Sequence, residues 1–231
     1  KEGPLKCGKG HCDACARMKT KLVSPPSQRT TRPSSCIRPE KLYIDASGRL
    51  TKSVYHGYQY YLLSITEKGF ILIQFMTYKS QTLFQIKKTF NEIGGPPPQV
   101  GIDGAGELKS ATATRFFAHE NVGIDDTVGG HHWMLARAER PHETIKSKSR
   151  CCMAHANAPV GFWPFAVRHV VLTLNLLLRA KDPKTREKLN CTLWESHYGE
   201  QPDIRKYLVG PWGCLAYVTL TKEARMAKGL D

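Results

Sequence analysis

The chain has 231 residues, enough for one good-sized core with appendages. Thirty-four Lys and Arg against 20 Asp and Glu leave a formal charge of +14, which favours a polyanionic partner over an acidic-substrate binder. No uninterrupted run reaches the roughly 18 apolar residues of a membrane span, and the start shows no signal-peptide core, so an intracellular protein without membrane contact is expected.

Half of the net charge lies in residues 1–41, where ten Lys or Arg face three acids. This stretch reads as a basic arm able to track a phosphate backbone. Within it, Cys12 and Cys15 have the Cys-x-x-Cys spacing that lets two thiolates reach one tetrahedral zinc ion. Residues 1–21 are therefore read as the remnant of a zinc-binding domain. The alternative is a pair of free thiols. The remaining cysteines, among them the adjacent Cys151 and Cys152, fit reduced thiols better than disulfides. Residues 22–40 contain four prolines and many serines, a composition that cannot continue a helix or pair in a central strand, and form a basic linker.

From Lys41 the periodicity predicts a core over 41–180. Leu42-Tyr43-Ile44-Asp45 is a short strand with one isolated acid. Aromatic and β-branched runs at 58–65 and 70–76, joined through Glu67-Lys68-Gly69, predict a hairpin and hence an antiparallel meander. The period then moves towards 3.6: 80–93 predicts a helix whose apolar face carries Leu83, Phe84, Ile86, Lys87 and Phe90, stopped by Gly94-Gly95 and three prolines. Val100-Gly101-Ile102-Asp103 is the next strand, joining beside the first by a crossover. A second helix is predicted over 107–120, burying Leu108, Phe116 and Phe117, and a last edge strand follows Asn121. Helices are predicted over 144–155 and 162–178, the latter apolar over more than half its circumference and sandwiched between neighbours. Residues 181–231 form an extension with a small strand element in 210–220.

A five-stranded mixed sheet with its first strand central brings Asp45 and Asp103 side by side, and carboxylates so close repel unless a cation sits between them. Hard oxygen ligands favour magnesium or manganese. Thirty-five residues separate Asp103 from Glu139, and a third acid on a helix crossing the strand ends would let two ions be held about 3.5–4 Å apart for in-line phosphodiester chemistry. Singly, each acid is more often a turn former, cap or surface ion-pair partner.

The residues carrying this pattern resemble the integrase of copia-type long-terminal-repeat retrotransposons, a member of the retroviral integrase catalytic-core superfamily. Cys12-Asp13-Ala14-Cys15 looks like the second half of its zinc domain. Leu42 to Asp45 resembles the first catalytic strand, Ile102-Asp103-Gly104-Ala105-Gly106-Glu107 the segment of the second acid, and Ala138-Glu139-Arg140 that of the third. Leu193-Trp194 and Gly213-Cys214-Leu215-Ala216-Tyr217-Val218 echo further family signatures. The resemblance implies an α/β ribonuclease-H-like fold, a five-stranded mixed sheet flanked by helices. It also implies 3′-end processing and strand transfer of element DNA by a magnesium- or manganese-dependent DNA integrase, with Asp45, Asp103 and Glu139 as metal-binding catalytic residues. DNA, homo-oligomer formation and a nuclear location follow, with Lys19, Lys21, Arg29, Arg137, Arg140 and Lys146 as candidate DNA contacts. Three departures stand out: residues 129–136 replace a polar Gln-Asn-Gly loop with bulky groups, Gly104 replaces Asn, and Pro141 follows Glu139. A helix starting at Pro141 would make Glu143 a rival third ligand. The alternative reading is a degenerate or domesticated copy, a DNA-binding or scaffold protein within a larger complex that has lost turnover.

Overall fold

The computed structural model describes residues 37–102, 108, 110–126, 132–208, 210 and 212–214, without the side chains of 126 and 132–140. Five strands form the main sheet: β1 (Lys41–Ala46), β2 (Tyr60–Thr66), β3 (Ile71–Met76), β4 (Gln99–Ile102) and β5 (Gly123–Asp126). Their order is β3-β2-β1-β4-β5, with β1–β2 and β2–β3 antiparallel and β1–β4 and β4–β5 parallel. The expected hairpin is present: the Thr66 N–H donates to the Phe70 carbonyl at 2.9 Å, and Gly69 takes a φ of +102°.

Side chains alternate along each strand, and both faces are buried. Leu42, Ile44 and Leu62 join one core with Ile86, Phe90, Val100, Ile102 and Phe117. Tyr61, Leu63 and Ile65 join the other with Ile145, Trp163, Val167, Val170 and Leu174. Two-sided cover explains why these strands read as nearly continuous apolar runs. It also places Tyr43 and Asp45 on the second face, opposite Leu42 and Ile44.

Helix α1 (Thr82–Glu92) covers the first face with Thr82, Gln85, Ile86, Thr89 and Phe90. The expected face is rotated: Phe84 is 69% exposed and Lys87 points outward. Three of the inward positions, Thr82, Gln85 and Thr89, are polar, and this hides the true stripe from a hydrophobicity reading. Helix α2 (Ala111–His119) starts later than the expected 107, because the Ser110 hydroxyl accepts from the Ala113 N–H and caps it there. Leu108 and Phe117 are buried, as expected, and Phe116 is half-buried.

The second face is covered by α3 (His132–His155) and α4 (Trp163–Leu177). Helix α3 neither begins at Pro141 nor waits until Thr144; it runs through the proline. Its inward positions His142, Ile145 and Ser149 are buried at spacings of three and four, so packing against the sheet overrides the local cost of Pro141. Helix α4 starts with Trp163-Pro164, the proline sitting where its missing N–H is harmless. Trp163 Nε1 donates to the Thr51 carbonyl at 2.8 Å. The expected sandwiching of α4 holds for one side only, since Phe165, Leu177 and Leu178 are exposed. Together with the turn before it, α4 makes an 18-residue stretch, Val160–Leu177, long and apolar enough to cross a membrane. Half of that stretch is buried, as in a core helix. Asn175 bonds both backbone groups of Ile71 in β3, accepting its N–H at 2.9 Å and donating to its carbonyl at 2.7 Å.

Beyond α4 comes a hairpin of β6 (Arg179–Lys181) and β7 (Lys188–Thr192), where the sequence reading placed only the start of the extension over 181–231. The Asp182 carboxylate accepts from the N–H groups of Lys184 and Thr185, both at 2.8 Å, which sets the turn. Helix α5 (Leu193–Tyr198) follows behind a capping box formed by Thr192 and Glu195, and Gly199 at φ +74° closes it. Leu193, Trp194 and Tyr198 pack into the first core. A short α6 (Ile204–Tyr207) sets Tyr207 against Trp194. The strand expected in 210–220 lies outside the described residues from 215 onward.

Candidate active site

Asp45 is the last residue but one of the central strand. Its neighbours on either side are fixed by register: Asp45 faces Leu63 of β2, and Ile44, one residue back, faces Ile102 of β4. The backbone at Asp45 is held by β2, and one residue earlier by β4 as well, so the root of this side chain is set by the sheet. The alternation that sends Ile44 into the first core sends Asp45 to the second face, under α3.

There it meets His142. The Nε2 of His142 lies 3.0 Å from Oδ2 of Asp45, an ion-pair distance without the in-line geometry of a hydrogen bond. The other ring nitrogen, Nδ1, is 3.0 Å from the Tyr61 hydroxyl of β2, and the two rings stack with centroids 5.2 Å apart. With the proton on Nε2, toward the carboxylate, Nδ1 of a neutral imidazole would accept from the Tyr61 O–H. Burial, with the charges of Asp45 and Glu143 added, pushes the Tyr61 phenol above its ordinary pKa, so it stays a donor. Tyr61, His142 and Asp45 thus lie in sequence, a hydrogen bond joining the first two and a 3.0 Å approach the last two.

Asp45 remains 20% exposed, and among the described residues its Oδ1 has no partner. Glu143, one residue past His142, instead reaches outward to Lys146 at 3.0 Å; that hydrogen bond holds its carboxyl below the usual range. Lys146 is thus already paired on the surface. At the far end of β1, Lys41 pairs with Asp125 of β5.

Of the residues expected at the site, Asp45 is described in full. Glu139, Arg137 and Arg140 lie in α3 with their side chains outside the described residues. Asp103, Cys12, Cys15, Lys19, Lys21 and Arg29 lie outside the described residues altogether. Among the described residues no group of three or more His, Cys, Asp or Glu side chains could hold a metal ion. Sequence reasoning did not single out His142 or Tyr61. The available signal was the spacing of three between Glu139 and His142, which puts both on neighbouring positions of one helical surface.

A mixed sheet with its first strand central, an antiparallel meander on one side, two parallel strands on the other and helices on both faces is the ribonuclease-H-like fold. That topology is consistent with a polynucleotidyl-transferase-like core. No family model and no curated protein matches the chain.

Proposed function

We propose that the chain is the core of a copia-type retrotransposon integrase, a DNA polynucleotidyl transferase using a divalent ion at Asp45, Asp103 and Glu139. The observation that carries this reading is Asp45 itself: a carboxylate at the end of the central strand, partly open, facing the helix that contains Glu139. Chain geometry supports the other two acids. Ile102 pairs with Ile44, and one peptide step of about 3.8 Å leads on to Asp103, as it does from Ile44 to Asp45. Glu139 precedes His142 by a helical rise of about 4.5 Å, and His142 touches Asp45.

The donor set fits a hard cation: Asp45 would offer Oδ1, while its Oδ2 lies 3.0 Å from Nε2 of the His142 ring that Tyr61 orients. When bound, magnesium or manganese would supply the charge that activates an attacking oxygen and steadies a leaving one. The basic residues Lys19, Lys21, Arg29, Arg137, Arg140 and Lys146 would bind the DNA backbone, and zinc at Cys12 and Cys15 would order the arm. Strand transfer at paired DNA ends would require a multimer and, for this class of element, the nucleus.

A second reading, an inactive DNA-binding or scaffold derivative, is favoured by the His142 nitrogen beside Oδ2 and by Pro141 inside α3. Calorimetric titration of manganese into the full chain and into Asp45→Asn separates the two. The integrase reading expects binding that Asp45→Asn abolishes, together with nicking or joining of oligonucleotides bearing the element's terminal repeats. Equal manganese uptake by both proteins, with salt-sensitive DNA binding and no cleavage, would establish the second.

A further inference from the structure

We infer that the cleft bounded by the β2–β3 turn, α3, the end of α4 and the β6–β7 hairpin is a docking site for an acidic, aliphatic-rich segment of a partner protein. The cleft has a volume of about 660 Å³, within the range of sites that enclose several side chains. Its floor is aliphatic, with Ile65, Ile71, Leu174 and Leu193 buried beneath it and Leu178, 47% exposed, at its lip.

The rim has the opposite chemistry. Lys68, Arg179, Lys181, Lys184 and Arg186 face a single acid, Glu67. Among the described residues, Lys68, Arg179 and Lys181 have no carboxylate partner, and Lys184 has only the charge of nearby Asp182. Nearby acids are turned to other work: Asp182 accepts the turn N–H groups of Lys184 and Thr185, and Glu67 accepts the Lys41 N–H at 3.3 Å. Like charges gathered round a low-dielectric floor raise the local positive potential, which an anionic partner relieves.

The floor decides which anion. A phosphate backbone would gain from the rim, but its oxygens would lose water against Ile and Leu without gaining a hydrogen bond there. Bases need an exposed aromatic platform, whereas the aromatic residue lining this cleft, Tyr43, is buried under it. A peptide alternating aliphatic and acidic residues satisfies both: its apolar groups cover the floor and its carboxylates meet the rim. This assignment is independent of the proposed metal site.

The probe is a fluorescein-labelled peptide of alternating Leu and Glu, titrated into the full chain and followed by anisotropy. Expected are saturable binding, a loss of about tenfold in Kd in the double variant Lys181→Glu/Lys184→Glu, and a similar loss in Leu178→Ser. All three side chains are exposed, so unchanged thermal unfolding midpoints will show that the variants fold. Asp45→Asn should bind the probe like the parent. The inference is overturned if the parent does not bind, or if a Ser-and-Glu peptide binds equally well. It is also overturned if duplex DNA displaces the probe and loses affinity in the same variants.

Discussion

The Tyr61 hydroxyl is tied to His142 and the His142 ring to Asp45, so replacing one oxygen should be felt at all three residues. Tyr61→Phe leaves Nδ1 of a buried imidazole without its partner, a loss of about 1–3 kcal/mol by urea unfolding at neutral pH. The pH dependence has a definite sign. A tyrosine whose folded pKa is raised contributes stability that is complete below the ordinary phenol value of about 10 and is lost as pH rises beyond it. Stability of the parent should therefore fall in alkali from about pH 10, and Tyr61→Phe should flatten that fall. Urea midpoints measured across this range test it; equal slopes would refute the burial argument. Asp45 was legible in the sequence because an isolated acid in an apolar strand is conspicuous. His142 and Tyr61 were not, because a histidine in a polar helix and a tyrosine among tyrosines look like ordinary surface and core residues. Only the register between β1 and β2 and the helix above them give the two a common purpose.

Among the elements, α3 shows how packing overrules local preference. Pro141 has no N–H for the Arg137 carbonyl, yet the helix continues through it because His142, Ile145 and Ser149 dock on the sheet. An interior proline costs about 3 kcal/mol in a helix and returns about 1 by restricting the unfolded chain. Pro141→Ala should thus stabilise the fold by about 2 kcal/mol, read as a higher thermal midpoint; a lower one would mean that the ring packs better than it bonds. The sequence reading began this helix only at 144, because Pro141 interrupts it and two of its inward positions, His142 and Ser149, are polar and weaken the apolar period. It missed the β6–β7 hairpin for a related reason: Arg179-Ala180-Lys181 has one buried residue, and the turn chemistry lies in Asp182 accepting two N–H groups. The Thr192–Glu195 capping box was readable in principle, being Thr-x-x-Glu before an aromatic residue.

At the scale of the whole molecule, the sheet order was legible because each change of period was punctuated. Gly94, Gly95 and the prolines after them end α1, and the chain then has only a crossover route back to β1. Helices flanking the sheet were expected from the family resemblance alone, although strands without polar alternation carried the same signal. What the sequence could not announce is how α4 serves the sheet. Asn175 reads as a lone polar residue in an apolar helix, and only the fold reveals that it reaches β3. Asn175→Leu would keep the bulk but leave both backbone groups of Ile71 bare, with an expected loss of about 2–4 kcal/mol in urea unfolding. A smaller loss than 1 kcal/mol would show that water replaces the amide.

That amide also has a bearing on how copies of the chain can meet. Strand β3 is the outer strand on its side of the sheet, and a free outer strand invites another chain to extend it. Asn175 behaves there like a half-residue of a missing sixth strand, donating and accepting in the same pattern a neighbour would use. Growth of the sheet by strand addition is obstructed at Ile71, the first residue of that edge, by a side chain of the same molecule.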